Sequence, residues 1–138
     1  MTRRLPTLSL AGSTILIAAL TLASCSSEDQ TPAVCSSVDS LKTSIEDLRN
    51  VKIDKNALTT LQDSFTKVQS DLRQVRSDAS DEYATQVDAL DQAASSVSSS
   101  LDAATAAPSA QTVTAVGVAV RSLGTSLTAL EDAVRSTC

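Results

Sequence analysis

The sequence contains no histidine and no tryptophan, and its aromatic side chains are one phenylalanine and one tyrosine among 138 residues. Histidine is the side chain that serves most often as general base and as metal ligand near neutral pH. Without it, few side chains remain that would hold a metal or a reactive cofactor. We therefore expect a protein that is not an enzyme, with no catalytic, cofactor-binding or metal-binding residues.

Glycine is scarce as well, at three residues, and no Gly-rich phosphate loop is present. Adjacent acids occur at Glu46-Asp47, Asp81-Glu82 and Glu131-Asp132. Neighbouring residues of a helix point about 100° apart, so these pairs are predicted to lie on solvated helix faces rather than to form carboxylate sites. Both aromatic residues, Phe65 and Tyr83, fall on apolar stripes and are predicted to fill the core.

Positive charge is the minority charge, with 11 basic and 16 acidic residues and a formal net charge of −5. This balance argues against binding to nucleic acid and against a polybasic contact with a membrane. The acidity is typical of a soluble surface and does not identify a cationic ligand.

The amino-terminal segment has the pattern of an export signal. Two arginines, Arg3 and Arg4, precede an apolar run from Leu8 to Leu22. The run is shorter than the roughly 20 residues that span a bilayer, which is typical of a signal peptide. It ends in Leu22-Ala23-Ser24-Cys25, which resembles the bacterial lipobox: an aliphatic residue, two small residues and a cysteine.

The resemblance implies that residues 1–24 are a lipoprotein signal peptide, cleaved between Ser24 and Cys25. The thiol of Cys25 would carry a diacylglyceryl group, with acyl chains such as palmitate, and 25–33 would form a flexible tether. Each buried methylene contributes about 0.8 kcal/mol, so several chains anchor the protein firmly. The implied location is the extracytoplasmic face of the cell membrane, with the membrane as partner through Cys25.

Two other export routes are weaker interpretations of the same segment. In ordinary secretion, Cys25 would be left free or removed with the signal. A twin-arginine signal would require a hydrophobic pair after Arg3-Arg4, where the sequence has Leu-Pro-Thr.

Cysteine is limited to three residues, and the lipobox accounts for one of them. With Cys25 lipidated, Cys35 and Cys138 are the two thiols left in an oxidising compartment, and we predict a disulfide between them. The alternative is a pair of free thiols used for redox or metal chemistry. The lack of a Cys-x-x-Cys spacing and of histidine argues against that alternative.

Four segments have apolar side chains at alternating spacings of three and four, which predicts amphipathic helices. Without residues 1–24 the chain has 114 residues, the size of one domain, and a formal charge of −7 from 9 basic and 16 acidic residues. The predicted bundle domain is 34–138, with helices at about 35–50, 55–77, 81–105 and 110–136.

Three features are expected to separate the helices. Val51 to Ile53 is predicted to be extended, with Asp54 as the following N-cap. A turn is predicted near 77–80, because the apolar spacing changes there to successive fours. Pro108-Ser109 ends the third helix and caps the fourth.

These elements predict an all-α fold, an up-down-up-down four-helix bundle. The alternative is an elongated helical hairpin, in which one continuous helix crosses 55–105. On the exposed side of the seam, Asp63 and Lys67 are predicted to pair along their helix. In the last helix, Gly117 and Gly124 are predicted to allow close approach of a neighbouring helix.

As a whole, the chain resembles the small helical lipoproteins of high-GC Gram-positive bacteria: the lipobox is followed by Cys35 at the first helix and Cys138 after the last. The resemblance implies a place in the cell envelope and does not assign an activity. We expect a membrane-anchored extracytoplasmic lipoprotein that acts as a structural or protein-interaction module of the envelope. The alternative is an extracytoplasmic ligand-binding helical module, a sensor or carrier.

The core distinguishes these two functions. A tightly packed core favours the interaction module, whereas a cavity with convergent polar groups favours the ligand-binding module. The predicted disulfide lies beside the tether. The connection between the first and second helices and that between the third and fourth are therefore expected to face away from the membrane. A protein or polymer partner of the envelope is expected there.

Overall fold

The computed structural model describes residues 31–52 and 56–138. Within these ranges the chain forms four α-helices, one short 3-10 helix and no strand. The elements are α1 (Ala33–Arg49), α2 (Ala57–Asp78), the 3-10 helix (Asp81–Tyr83), α3 (Ala84–Ala106) and α4 (Ala110–Val134). The signal peptide, the lipobox with Ser24 and Cys25, most of the tether, Ile53 and Asp54 lie outside the described residues.

The predicted helix boundaries agree with the observed ones to within two residues, when the 3-10 helix is counted with α3. Proline and polar residues set these boundaries. Pro32 stands immediately before α1, and its carbonyl accepts a hydrogen bond of 2.9 Å from the amide of Cys35. A proline at the start of a helix removes no intrahelical hydrogen bond, because the first amides of a helix have no acceptor within the helix.

The break between α2 and α3 is made without glycine or proline. Ala79 and Ser80 both have extended backbones, with ψ angles of 137° and 167°. The turn reverses the chain at the point where the apolar spacing predicted it. The predicted turn is therefore confirmed, and the alternative of a continuous helix across 55–105 is wrong. A continuous helix would carry the apolar stripe of α3 away from the core, because successive spacings of four drift around a helix.

The four helices pack as an up-down-up-down bundle around one hydrophobic core. Consecutive helices are neighbours, α1 also packs against α4, and the α1–α2 and α3–α4 pairs are the most extensively packed. Each helix contributes at least one fully buried side chain: Leu41, Val68, Leu90 and Leu123. Burying a side chain of this kind contributes about 1.5–3 kcal/mol. The predicted all-α four-helix bundle is confirmed.

Nearly all residues of the predicted apolar stripes are buried, including Phe65 and Tyr83. Leu58 and Val113 are the exceptions, because both are only partly buried. Each lies in the first turn of its helix, α2 or α4, at the end of the bundle that contains the α1–α2 and α3–α4 connections. We call this end, with the described residues 50–52, 56 and 107–109, the distal end. Its looser packing opens a groove, described below.

By length and composition α4 would also suit a membrane span. It has 25 residues, and its most apolar window has a mean hydropathy of 1.4. However, its apolar stripe faces the other helices: Val116, Val120, Leu123, Leu127, Leu130 and Val134 are buried in the core. Core helices of soluble proteins have the same length and hydropathy, and α4 packs as one helix of the bundle.

Candidate functional site

A disulfide joins the first turn of α1 to the residues that follow α4. It links Cys35 and Cys138, whose Cα atoms are 5.7 Å apart across 103 residues of sequence. The predicted pairing is confirmed. We call this end of the bundle, with residues 31–35, 79–83 and 135–138, the disulfide end. It brings together the start of α1, the α2–α3 turn and the end of α4.

Two side-chain contacts tie the α2–α3 turn to the same end. The hydroxyl of Tyr83 forms a hydrogen bond with the hydroxyl of Thr137, and the Tyr83 side chain is otherwise buried in the core. The buried hydroxyl of Ser37 in α1 donates to the carboxylate of Asp78 at the end of α2. These bonds fix the turn against both terminal helices.

Asp78 accepts a second hydrogen bond, of 2.8 Å, from Nε2 of Gln74. The bond from Ser37 and then that from Gln74 hold the pKa of Asp78 below its ordinary value of 3.8, and partial desolvation opposes them. Hydrogen bonds to the ionised form favour that form, which is the reason for the direction of the shift. Asp78 is a structural carboxylate that stays ionised, which is unsuited to general acid catalysis near neutral pH.

A groove of about 330 Å³ lies beside the disulfide, between α1 and α4. Four of its five charged side chains are paired with one another, and the fifth, Asp39, has no ion pair among the described residues. Lys42 Nζ is 2.9 Å from Glu131 Oε1, and Arg135 Nη2 is 2.7 Å from Asp132 Oδ1. The hydrogen bond and charge of Glu131 raise the pKa of Lys42 above 10.5. No two unpaired charges therefore lie together in this groove to bind a ligand.

The adjacent acids do not converge on a site. Glu46, Asp47, Asp81, Glu82 and Asp132 are exposed. Glu131 is half-buried, and its carboxylate is engaged by Lys42. In the part of the chain that the structure covers, no three side chains of histidine, cysteine, aspartate or glutamate are placed to hold a metal ion.

One spacing that also occurs in nucleophilic enzymes was missed in the sequence reasoning. Ser64 and Lys67 are separated as in a Ser-x-x-Lys motif. The amine of Lys67 instead lies 3.9 Å from Asp47 of α1, and no hydrogen bond joins it to Ser64 within the described helices. The predicted pair of Asp63 with Lys67 is therefore also wrong, because the packing of α2 on α1 offers Lys67 a different carboxylate.

A second groove lies near the distal end, between the C-terminal part of α1 and the N-terminal half of α4. We call it the distal groove; its volume is about 230 Å³. Its lining is Leu48, Arg49, Val51, Leu61, Val113, Val116, Gly117, Val120 and Arg121. The lining is apolar apart from two arginines. This is the end of the bundle where the sequence predicted a partner, and the groove has the composition of a small binding site.

The glycines of α4 do not have the role predicted for them. Apart from its chain neighbours and the backbone of its own helix, no heavy atom of the described residues lies within 4 Å of the position that a Cβ would take at Gly117. At Gly124 the nearest atom is Nη1 of Arg49, at an ordinary contact distance of 3.8 Å. No neighbouring helix approaches closely at either residue. The prediction of close helix approach is wrong, and Gly117 instead leaves open space beside the distal groove.

Sequence reasoning did not identify Arg49 and Arg121 as members of one site. Arg121 follows Gly117 by four residues, so both lie on one face of α4, and this spacing is readable from the sequence. Arg49 belongs to α1, and its approach to α4 depends on how the two helices pack.

Comparisons with protein-family models, with curated proteins and with solved structures found no match to this chain.

Proposed function

We propose that this chain is an extracytoplasmic lipoprotein, held in the membrane by acyl chains on Cys25, that acts as a structural or protein-interaction module of the cell envelope. The Cys35–Cys138 disulfide is the observation that carries the proposal. Disulfides persist in oxidising compartments outside the cytoplasm. The bond therefore supports export, and export is also what the lipobox implies.

The geometry of the bundle supports an orientation of the module relative to the membrane. A tether of eight residues after Cys25 reaches at most about 28 Å, so the disulfide end would stay near the lipid surface. The 17 residues of α1 extend about 26 Å from there to the distal end. The distal groove and the two distal connections would then face the envelope rather than the membrane.

The anchor is tested by labelling cells with radioactive palmitate. We expect label in the wild-type protein and in Cys35→Ala and Cys138→Ala, and none in Cys25→Ala. The two control variants also remove a thiol, so they separate lipidation at one position from a general effect of cysteine loss. Equal labelling of Cys25→Ala would overturn the anchor.

The interaction role is tested by photo-crosslinking in intact cells. A photoreactive residue is placed at Lys52, which is exposed at the distal end, or at Ser136, which is exposed at the disulfide end. We expect a discrete protein adduct from position 52 and not from position 136. Adducts that form only at position 136, or at neither position, would contradict a role of the distal end in protein contacts.

A second candidate, an extracytoplasmic ligand-binding module, is favoured by one observation. The distal groove carries two arginines beside an apolar lining. Convergent polar groups at the edge of an apolar pocket are typical of small-molecule sites. The groove is smaller than the pockets of about 300–1,000 Å³ that enclose drug-sized ligands, so its ligand would be small.

A further inference from the structure

The two arginines of the distal groove form no ion pair with the residues that the structure describes. No carboxylate of the described residues lies within ion-pair distance of Arg49 or Arg121. Elsewhere on the bundle, Arg76 and Arg135 are each paired with aspartate. In a chain with 16 acidic and 11 basic residues, two guanidinium groups at one groove with no ion-pair partner among the described residues form a local excess of positive charge.

The guanidinium of Arg121 is partly held by the helix and partly free. Its Nε donates a hydrogen bond of 3.3 Å to the carbonyl of Gly117, and its two Nη groups have no partner among the described residues. Arg49 extends from α1 toward α4, where Nη1 lies 3.8 Å from the position of a Cβ at Gly124. A planar guanidinium binds carboxylate or phosphate through parallel N–H···O bonds, so both side chains are suited to an anion.

Gly117 keeps the space beside these arginines open. Glycine is the poorest helix former after proline, and Gly117 lies within the 25-residue helix α4. Since no atom of the other described helices lies within 4 Å of its Cβ position, packing between helices does not require glycine there. A larger side chain at this position would project into the open space and narrow the distal groove.

We propose that the distal groove binds a small amphiphile, in which a short apolar chain carries one anionic head group. The apolar chain lies against Leu48, Val116 and Val120, and the carboxylate or phosphate head binds Arg49 and Arg121. The volume of about 230 Å³ limits the ligand to a short chain that is free in solution rather than part of a bilayer. The inference rests on the ligand-binding candidate above and not on lipidation of Cys25.

The test is a titration of the whole chain, purified in the form in which cells produce it, with four probes that share a six-carbon chain. Hexanoate and hexyl phosphate carry an anionic head, hexanol is neutral, and hexylammonium is cationic. Binding is followed by NMR of the valine methyl groups, because Val116 and Val120 line the groove. We expect the two anions to produce saturable shifts of these methyl signals. Hexanol is expected to bind at least tenfold more weakly, and hexylammonium is expected not to bind. The anion that binds more tightly identifies the head group.

Matched variants locate the site. Gly117→Leu is expected to abolish the shifts, and the Arg49→Gln/Arg121→Gln pair is expected to weaken hexanoate binding at least tenfold. Ala115→Leu and Arg73→Gln introduce the same new side chains at exposed positions outside the groove lining, and are expected to leave binding unchanged. Circular dichroism is used to check that each variant is folded. If Gly117→Leu does not fold, the arginine variants still test the site.

Three results would overturn the proposal. The first is the absence of saturable methyl shifts with both anions. The second is equal binding of hexanoate and hexylammonium, which would exclude a role for the arginines. The third is tighter binding of the anions by the Ile53→Ser variant than by the wild type. That result would indicate that the α1–α2 connection of the chain itself occupies the groove. Failure of palmitate labelling at Cys25 would leave all these readouts unchanged, so the two proposals fail separately.

Discussion

Asp78 and Lys42 link the stability of the bundle to pH at opposite limits. Asp78 has a pKa below 3.8 in the fold, because Ser37 and Gln74 donate to its carboxylate. Its contribution to stability is therefore present above pH 3.8 and is lost as the pH falls through the lowered pKa. Lys42 has a pKa above 10.5, because of the hydrogen bond and charge of Glu131. Its contribution is present below pH 10.5 and is lost as the pH rises through the raised pKa.

We expect Asp78→Asn to lower the urea midpoint at neutral pH and to have a progressively smaller effect below pH 3.8. The reason is that protonation of the native carboxylate removes the same charge-assisted hydrogen bonds that the substitution removes. Urea unfolding of both proteins, from neutral pH into the acid range, measures the difference. In a Ser37→Ala background most of this pH-dependent difference should disappear, and a difference that stays constant with pH would contradict the assignment.

Gly124 offers a test of the packing between α1 and α4. Its missing Cβ would meet only Nη1 of Arg49, at 3.8 Å. We expect Gly124→Ala to raise the free energy of unfolding by about 0.5–1 kcal/mol, because glycine in a helix interior is destabilising relative to alanine. Thermal and urea unfolding measure the change, and Gly117→Ala serves as a second position with open space. Destabilisation at Gly124 would indicate that α4 requires a close approach there after all.

At the scale of the elements, α3 depends on packing more than on intrinsic helix propensity. The hydroxyls of Ser95, Ser96 and Ser99 each donate to the backbone carbonyl four residues earlier. Serine is a weak helix former because its hydroxyl competes for backbone groups in this way. The opposite face of α3 is anchored by Leu90 and Val97, which are fully buried. Burial of this apolar face therefore compensates for the serine-rich exposed face.

The start of α4 is defined by a capping box. The hydroxyl of Ser109 accepts a hydrogen bond of 3.2 Å from the amide of Thr112, and the hydroxyl of Thr112 accepts one of 3.0 Å from the amide of Ser109. Two amides that lack a helical acceptor are satisfied in this way. Pro108, immediately before Ser109, prevents α3 from continuing into α4.

We expect Ser109→Ala to lower the free energy of unfolding by about 1 kcal/mol, the usual cost of losing an N-cap side chain. Urea unfolding measures the change. Ser122→Ala replaces an exposed serine inside the same helix and is expected to be neutral or slightly stabilising. Equal effects of the two substitutions would show that the capping box contributes no specific stability.

At the scale of the whole molecule, the disulfide joins the first and last helices and closes a loop of 103 residues. We expect the Cys35→Ala/Cys138→Ala variant to lose about 4–5 kcal/mol of unfolding free energy. The reason is that the conformational entropy of the unfolded chain increases when the disulfide no longer closes the loop. Urea unfolding measures the loss, and reduction of the wild type with dithiothreitol should reproduce it. Two thiols that react with an alkylating reagent in the unreduced native protein would contradict the bond.

The helices, their apolar faces and the pairing of Cys35 with Cys138 were predictable from the sequence. Helix spans depend on local information: spacing of apolar residues, proline and capping side chains. The turn at Ala79-Ser80 was predictable for the same reason, since the change in spacing occurs within a few residues. The cysteine pairing followed from counting thiols once Cys25 was assigned to the predicted lipobox.

Only the tertiary structure decided which side chains from different helices meet. Ser37 with Asp78, Lys42 with Glu131 and Arg49 beside α4 are contacts that depend on the rotation and spacing of packed helices. A one-dimensional pattern specifies which face of each helix is buried, and it does not specify which neighbour that face meets or at what height. The distal groove exists because α1 and α4 leave open space beside Gly117, and that space is a property of the packed bundle alone.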